Sequence, residues 1–235
     1  MPTVTRALGA LLLLAATAAP ASAPLRIKAS PAVVPCVSAA AQEYGRATGR
    51  APLVETAAIG SPESVAGADV VVAANRELNR VIESGMTRPD QEVDVAEIPW
   101  VAAGPAGKDA PSVESLGRSQ LVDVLGGVVA QETWRRLAQQ GLQAARSERG
   151  GRGGERAGAR EPREPVRLQP GEAAVVPLSL AGSAAVTRLD VPPLLARALG
   201  VRASQRPDAS RAFLDFLASE KGNAAFRGCG RADAR

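Results

Sequence analysis

The chain has 235 residues, enough for one large domain or two small lobes. Its 28 Lys and Arg against 24 Asp and Glu leave a net charge of +4, and no basic stripe is interleaved with aromatics, so nucleic-acid binding has no support. With no histidine, a Ser-His-Asp triad and a His-based zinc site are excluded, and no Gly-x-Ser-x-Gly elbow points to a hydrolase.

The first residues read as an export signal over 1–23. Arg6 supplies a positive start, residues 7–19 form an apolar run too short to span a bilayer, and Ala21-Ser22-Ala23 has the small-x-small form of a cleavage site. No cysteine follows at a lipid-attachment position, and no later stretch is apolar enough to enter a membrane. A free periplasmic protein is expected, with no membrane insertion after signal removal.

From there the chain alternates strand and helix. Residues 25–29 alternate apolar and polar, as a strand does. Residues 33–48 carry helical spacing and stop at Gly49, a C-cap signal. Residues 52–58 form a second strand candidate. Gly60-Ser61-Pro62-Glu63 reads as a turn into a helix, with Ser61 at the N-cap and Pro62 at the first position. Residues 68–74 are a short apolar run typical of a buried strand, and 75–84 read as a helix ending at Gly85. Residues 95–103 form another strand candidate. The rhythm predicts a mainly parallel sheet flanked by helices, with ligands bound beyond the strand C-termini.

Residues 120–142 read as one long helix or two. Residues 147–164 have no apolar residue larger than alanine and are expected to be a disordered surface loop. Residues 173–180 are strand-like, and Asp190-Val191-Pro192-Pro193 marks a break. An amphipathic helix is predicted over 208–218, with Ala212, Phe213, Phe216 and Leu217 facing a core, and a shorter helix over 222–226. The two cysteines, Cys36 and Cys229, either pair in the oxidising compartment or stay as separate thiols.

The order of these motifs resembles the periplasmic molybdate-binding proteins of ABC importers. Residues 25–30 followed by 31–49 fit that family's opening strand, Ala-Ser pair and helix. Ile59-Gly60-Ser61, Gly67-Ala68-Asp69-Val70-Val71 and Ala73-Ala74-Asn75 fit its next turn and strand. Gly126-Gly127-Val128-Val129 with Gly141-Leu142, Pro165-Val166-Arg167 with Gly171-Glu172-Ala173, and residues 209–229 resemble its later segments.

The resemblance implies a two-lobed α/β fold of the type II periplasmic-binding kind, each lobe a mainly parallel sheet. Lobe one would take 24–100 and 192–235, and lobe two 101–191. It implies a small oxyanion, molybdate or tungstate in kind, held between the lobes by hydroxyls and backbone N–H groups. Such a protein needs no cofactor, metal or catalytic residue. It would act as a monomer that delivers its ligand to an ABC permease complex.

By motif position the ligand-binding residues would be Ser30 and Ser61 from lobe one, with Gly126, Val166 and Ser179 from lobe two. The family's site tyrosine has no counterpart; an ungapped reading from Gly171-Glu172 places Ser179 there and a gapped one Pro177. Two alternatives stand beside this reading. The chain is a degenerate solute-binding fold working as a sensor or interaction protein, or it binds another small anion.

Overall fold

The computed structural model describes residues 23–116, 120–122 and 167–226. Strand β1 (Arg26–Ala29) leads to helix α1 (Val34–Thr48), strand β2 (Leu53–Thr56), a 3-10 turn (Pro62–Val65), strand β3 (Val70–Ala74) and helix α2 (Asn75–Glu83). Strands β4 (Thr87–Ile98) and β5 (Trp100–Gly104) follow, separated only by Pro99. Next come the short helix α3 (Val113–Leu116), β6 (Gln120–Val122), β7 (Glu172–Pro177), the helical turn α4 (Leu178–Ala181), β8 (Ala185–Arg188) and β9 (Leu194–Val201). Helices α5 (Pro207–Ala218) and α6 (Glu220–Ala225) close the described chain.

Among the described residues, nine strands make two sheets. The first has the order β2-β1-β3-β9-β4, the second β6-β7-β5-β8. The chain leaves the first sheet at Pro99 and returns to it after the Asp190–Pro193 break. Both sheets are mixed, which corrects the expectation of mainly parallel ones. The β1–β2, β1–β3 and β6–β7 pairs are parallel, but β3–β9, β4–β9, β5–β7 and β5–β8 are antiparallel. The reason is the crossing. A strand that brings the chain back to a sheet runs against the strands that carried it away, so β9 lies antiparallel between β3 and β4.

Burial explains the local choices. All five residues of β3 are buried, as a strand covered on both faces requires. Val70, Val72 and Ala74 face α1 and α5; Val71 and Ala73 face Leu78 and Val81 of α2. The first of these clusters runs on through Trp100, Ala102, Ala173 and Val175, so one apolar core joins both sheets. Tyr44 of α1 meets Phe213 and Phe216 of α5 edge-on, with ring centroids 5.2 and 5.4 Å apart. Gly49 closes α1 at φ 72°, the left-handed C-cap its sequence position predicts.

Four sequence readings change here. Residues 120–122, expected in a long helix, are the strand β6 alongside β7; the rest of that stretch lies outside the described residues. The strand expected over 173–180 ends at Pro177, and its last residues turn into α4. The single strand expected over 95–103 is two strands, and β4 starts eight residues earlier, at Thr87. It tolerates Pro89 because it is a sheet edge with register shifts. β8 and β9 carried no strand signal. The 147–164 loop and the 1–22 leader also lie outside the described residues.

Candidate functional site

Three parallel strands of the first sheet, β2, β1 and β3, end side by side. In register, Ala29 stands opposite both Thr56 and Val72. Ser30 follows the end of β1, Ser61 follows β2 across a short loop, and Asn75 opens α2 directly after β3. This is the edge where α/β sheets offer helix N-termini and loop amides to ligands.

Ser30 is fully buried. Its backbone N–H donates to Val72 O at 2.9 Å, and its carbonyl accepts from the Val33 and Val34 N–H groups at 3.0 and 3.1 Å. Ser30 is not the N-cap of α1. Pro35 sits in the first turn, and Val33 takes the cap position without a side-chain hydrogen bond. The Ser30 hydroxyl is therefore left over. It is enclosed and has no hydrogen-bond partner in the protein. Thr56 Oγ1 and Asn75 Oδ1 are enclosed and unpartnered as well. An enclosed polar atom without a partner costs about 1–3 kcal/mol, and three of the five among the described residues lie along this edge, with Gln91 Oε1 and Asn223 Oδ1 elsewhere.

Ser61 is the N-cap of the 3-10 turn, as the sequence predicts, in extended conformation. Ser64 Oγ donates to Ser61 O at 2.5 Å and accepts from the Ser61 N–H at 3.4 Å. The Ser61 hydroxyl faces the exposed Glu63 carboxylate and, with the Glu63 backbone N–H, holds that carboxyl below the usual range.

The second sheet reaches this edge through α4. Ser179 Oγ donates to Ala32 O at 2.6 Å, two residues past Ser30, and the Leu178 N–H donates to Pro99 O at 2.9 Å. The Ser179 hydrogen is thus engaged with the approach to α1. Gly126 and Val166 lie outside the described residues. Cys36 is buried in α1 and disulfide-bonded; Cys229 lies outside the described residues.

One residue at the edge went unnoticed in the sequence. Glu77, in the first turn of α2, accepts the Ala74 N–H on Oε2 at 3.0 Å. Burial pushes its carboxyl above the usual carboxylate range, while the Ala74 N–H and the nearby Ser30 hydroxyl pull it partly back. Ser30 lies close enough to favour the charged carboxylate, although no hydrogen bond of normal geometry joins the two. An acidic residue three positions after a strand-to-helix junction is an ordinary capping signal, so sequence alone could not single it out.

The hydroxyls, amides and helix N-terminus at these strand ends are groups able to hydrogen-bond a small ligand. Two sheets joined by two crossings, with that site at the strand ends, define the class: a type II periplasmic-binding fold. The chain belongs to the bacterial extracellular solute-binding protein family, whose model matches residues 25–231.

Among solved structures it is similar to the substrate-binding domain of a putative molybdenum ABC transporter from Clostridium difficile. That match has 15% identity and a TM-score of 0.61, covering 88% of this chain and 97% of that one. It is similar also to the periplasmic molybdate-binding protein of Azotobacter vinelandii, at 12% identity and TM-score 0.60, covering 88% and 97%. Peb3 from Campylobacter jejuni matches at 12% and 0.56, covering 88% and 98%, and has also been solved with L-phospholactate bound. At these identities the likeness is one of fold. No protein of curated function matches the chain.

Proposed function

We propose that this is an exported, periplasmic solute-binding protein that captures a small oxyanion between two lobes and delivers it to an ABC permease complex. The lobes are residues 24–100 with 192–235, and 101–191. The observation that carries the reading is the buried Ser30 hydroxyl without a partner, flanked by the enclosed Thr56 and Asn75 oxygens. The Ser30 and Thr56 hydroxyls are donors that an arriving anion would engage, whereas Asn75 Oδ1 is an acceptor and would take a hydrogen from the ligand or its surroundings. The first-lobe ligands are Ser30 and Ser61, and the second lobe adds the Gly126 and Val166 backbone N–H groups and Ser179, whose hydroxyl would have to leave Ala32 O to donate to the anion. Molybdate or tungstate is the first choice, because two of the similar folds are the substrate-binding domain of a putative molybdenum transporter and a periplasmic molybdate-binding protein.

The test is a thermal-shift and calorimetric screen against molybdate, tungstate, sulfate, phosphate and small carboxylates. A ligand present at a thousand times its Kd raises stability by about 4 kcal/mol. Ser61→Ala is expected to weaken binding by about 1.5–3 kcal/mol, one hydrogen bond to a charged group. No response to any anion would sink the reading.

A second reading is favoured by the Glu77 carboxyl beside Ser30. The site then takes a different small anion, one that carries a hydrogen-bond donor, and the Peb3 fold has been solved with an organic phosphate. The same screen separates the two.

A further inference from the structure

Resting on the oxyanion reading, we propose that this site handles its anion together with one proton, and that Glu77 holds that proton. A fully ionised anion would take the proton from solvent as it binds. An anion that carries its own, such as hydrogen phosphate, would bring it.

The geometry sets up the conflict. The Glu77 carboxylate already sits on the Ala74 N–H, a donor of the kind an anion would use. It stands beside Ser30, whose backbone N–H donates to Val72 O, two residues before Ala74, and whose fully buried hydroxyl acts on the Glu77 carboxyl without a hydrogen bond of normal geometry. An oxyanion bound at Ser30 therefore stands beside a carboxylate of like charge, in a partly buried setting where repulsion is strong.

None of the neighbouring charges is among the groups that act on the Glu77 carboxyl. β3, against which α2 packs, carries no charged residue. The 3-10 turn presents Glu63, another acid. On β9, Arg197 is held by Glu92 at 2.6 Å and Asp94 at 2.8 Å. On the side of β1, Arg26 pairs with Glu55, and Lys28 donates to the Ser64 and Ala66 carbonyls. α2 itself adds Arg76, Arg80 and Glu83. The groups that act on the Glu77 carboxyl are the Ala74 N–H and the Ser30 hydroxyl.

A proton on Glu77 resolves the conflict. It removes the like charge, and it converts an acceptor into a donor for the anion. Burial already favours the protonated form.

The experiment is calorimetric titration of the protein with molybdate, then with inorganic phosphate, from about pH 6 to 8.5, in two buffers of different ionisation enthalpy. One proton taken up per molybdate is expected at the alkaline end, with Kd rising by up to about tenfold per pH unit above the Glu77 titration. Phosphate, as hydrogen phosphate, should show a weaker rise and little uptake. Glu77→Gln keeps the acceptor for the Ala74 N–H and should bind molybdate with a flat pH profile, more tightly than wild type at the alkaline end. Zero proton uptake by the wild-type protein, or a slope that survives in Glu77→Gln, overturns the proposal while leaving the oxyanion reading intact. The wild-type proton count decides the matter even where the variant fails to fold. Absence of any anion binding at any pH removes the oxyanion reading and this inference with it.

Discussion

Strand β3 has a carboxylate near each end, Asp69 buried and Glu77 partly buried, and the two are provided for in opposite ways. Asp69, just before the strand, is fully engaged. Its Oδ2 accepts the Arg26 N–H at 2.8 Å and pairs with Arg206 at 2.9 Å, and its Oδ1 accepts the Ser204 hydroxyl at 2.7 Å. Its backbone carbonyl accepts the Ser210 hydroxyl at 2.7 Å and the Val201 N–H at 2.9 Å. β1, β9 and α5 are thereby stapled to one point. Glu77, just after the strand, has one backbone N–H and a poorly placed hydroxyl. Two fully buried serines repeat the contrast: Ser210 donates to Asp69, whereas Ser30 has no partner. A satisfied buried polar group holds a fold together, and an unsatisfied one adds nothing to its stability.

The contrast breaks first at Asp69. Removing one partner of a buried ion pair typically costs about 3–5 kcal/mol. Because the Arg206 side chain is 27% exposed, Asp69→Ala is expected near the lower figure in urea unfolding. A loss below about 1 kcal/mol would mean the staple is decorative. The serine pair is a finer probe. Ser210→Ala should cost about 1 kcal/mol, whereas Ser30→Ala should leave stability unchanged or slightly raised, since it deletes an unpaired buried hydroxyl. The same Ser30→Ala protein should bind anion more weakly, and equal stability losses in both serine variants would erase the distinction.

The smallest effect is the pH slope. The folded Glu77 pKa is raised, so the folded protein holds this proton where the unfolded chain has released it. The favourable contribution is full below the ordinary glutamate value of about 4.5 and is lost as pH rises through the raised value. Glu77→Gln should flatten that part of the stability-against-pH curve in urea titrations. A slope identical to wild type would place the titration elsewhere.

The first sheet's parallel half was legible because each element carried its own punctuation. Gly49 and Gly85 stop helices, Ser61-Pro62 starts a turn, and the valines of β3 admit little but a buried strand. β9 was not legible. Leu194-Leu195-Ala196-Arg197-Ala198-Leu199 is built from good helix formers, and only its place between β3 and β4 makes it extended. Gly200 hints at the reason, since a Cβ there would stand 2.2 Å from Gln91 Oε1 across the ladder. In the candidate site, Ser30 and Ser61 could be picked out by their motifs. Thr56, Asn75 and Glu77 could not, because what distinguishes them is an unmet hydrogen bond or a burial that only packing creates. The Gly67-Ala68-Asp69 motif was recognised without its cause, which lies some 135 residues away in Ser204.

The position of β9 also dictates an order of events as the chain is made. Among the described residues, β4 has no partner in the first sheet except β9, and β3 gains its second neighbour only from β9. Synthesis therefore passes through a long interval in which β4 has been made and has nothing to pair with. Contacts this distant in sequence form slowly, and the chain cannot lock early. The hazard is an unpaired β4 edge exposed to other chains, and the charges of Arg88, Asp90, Glu92, Asp94 and Glu97 along that strand are the kind of residues that discourage such pairing.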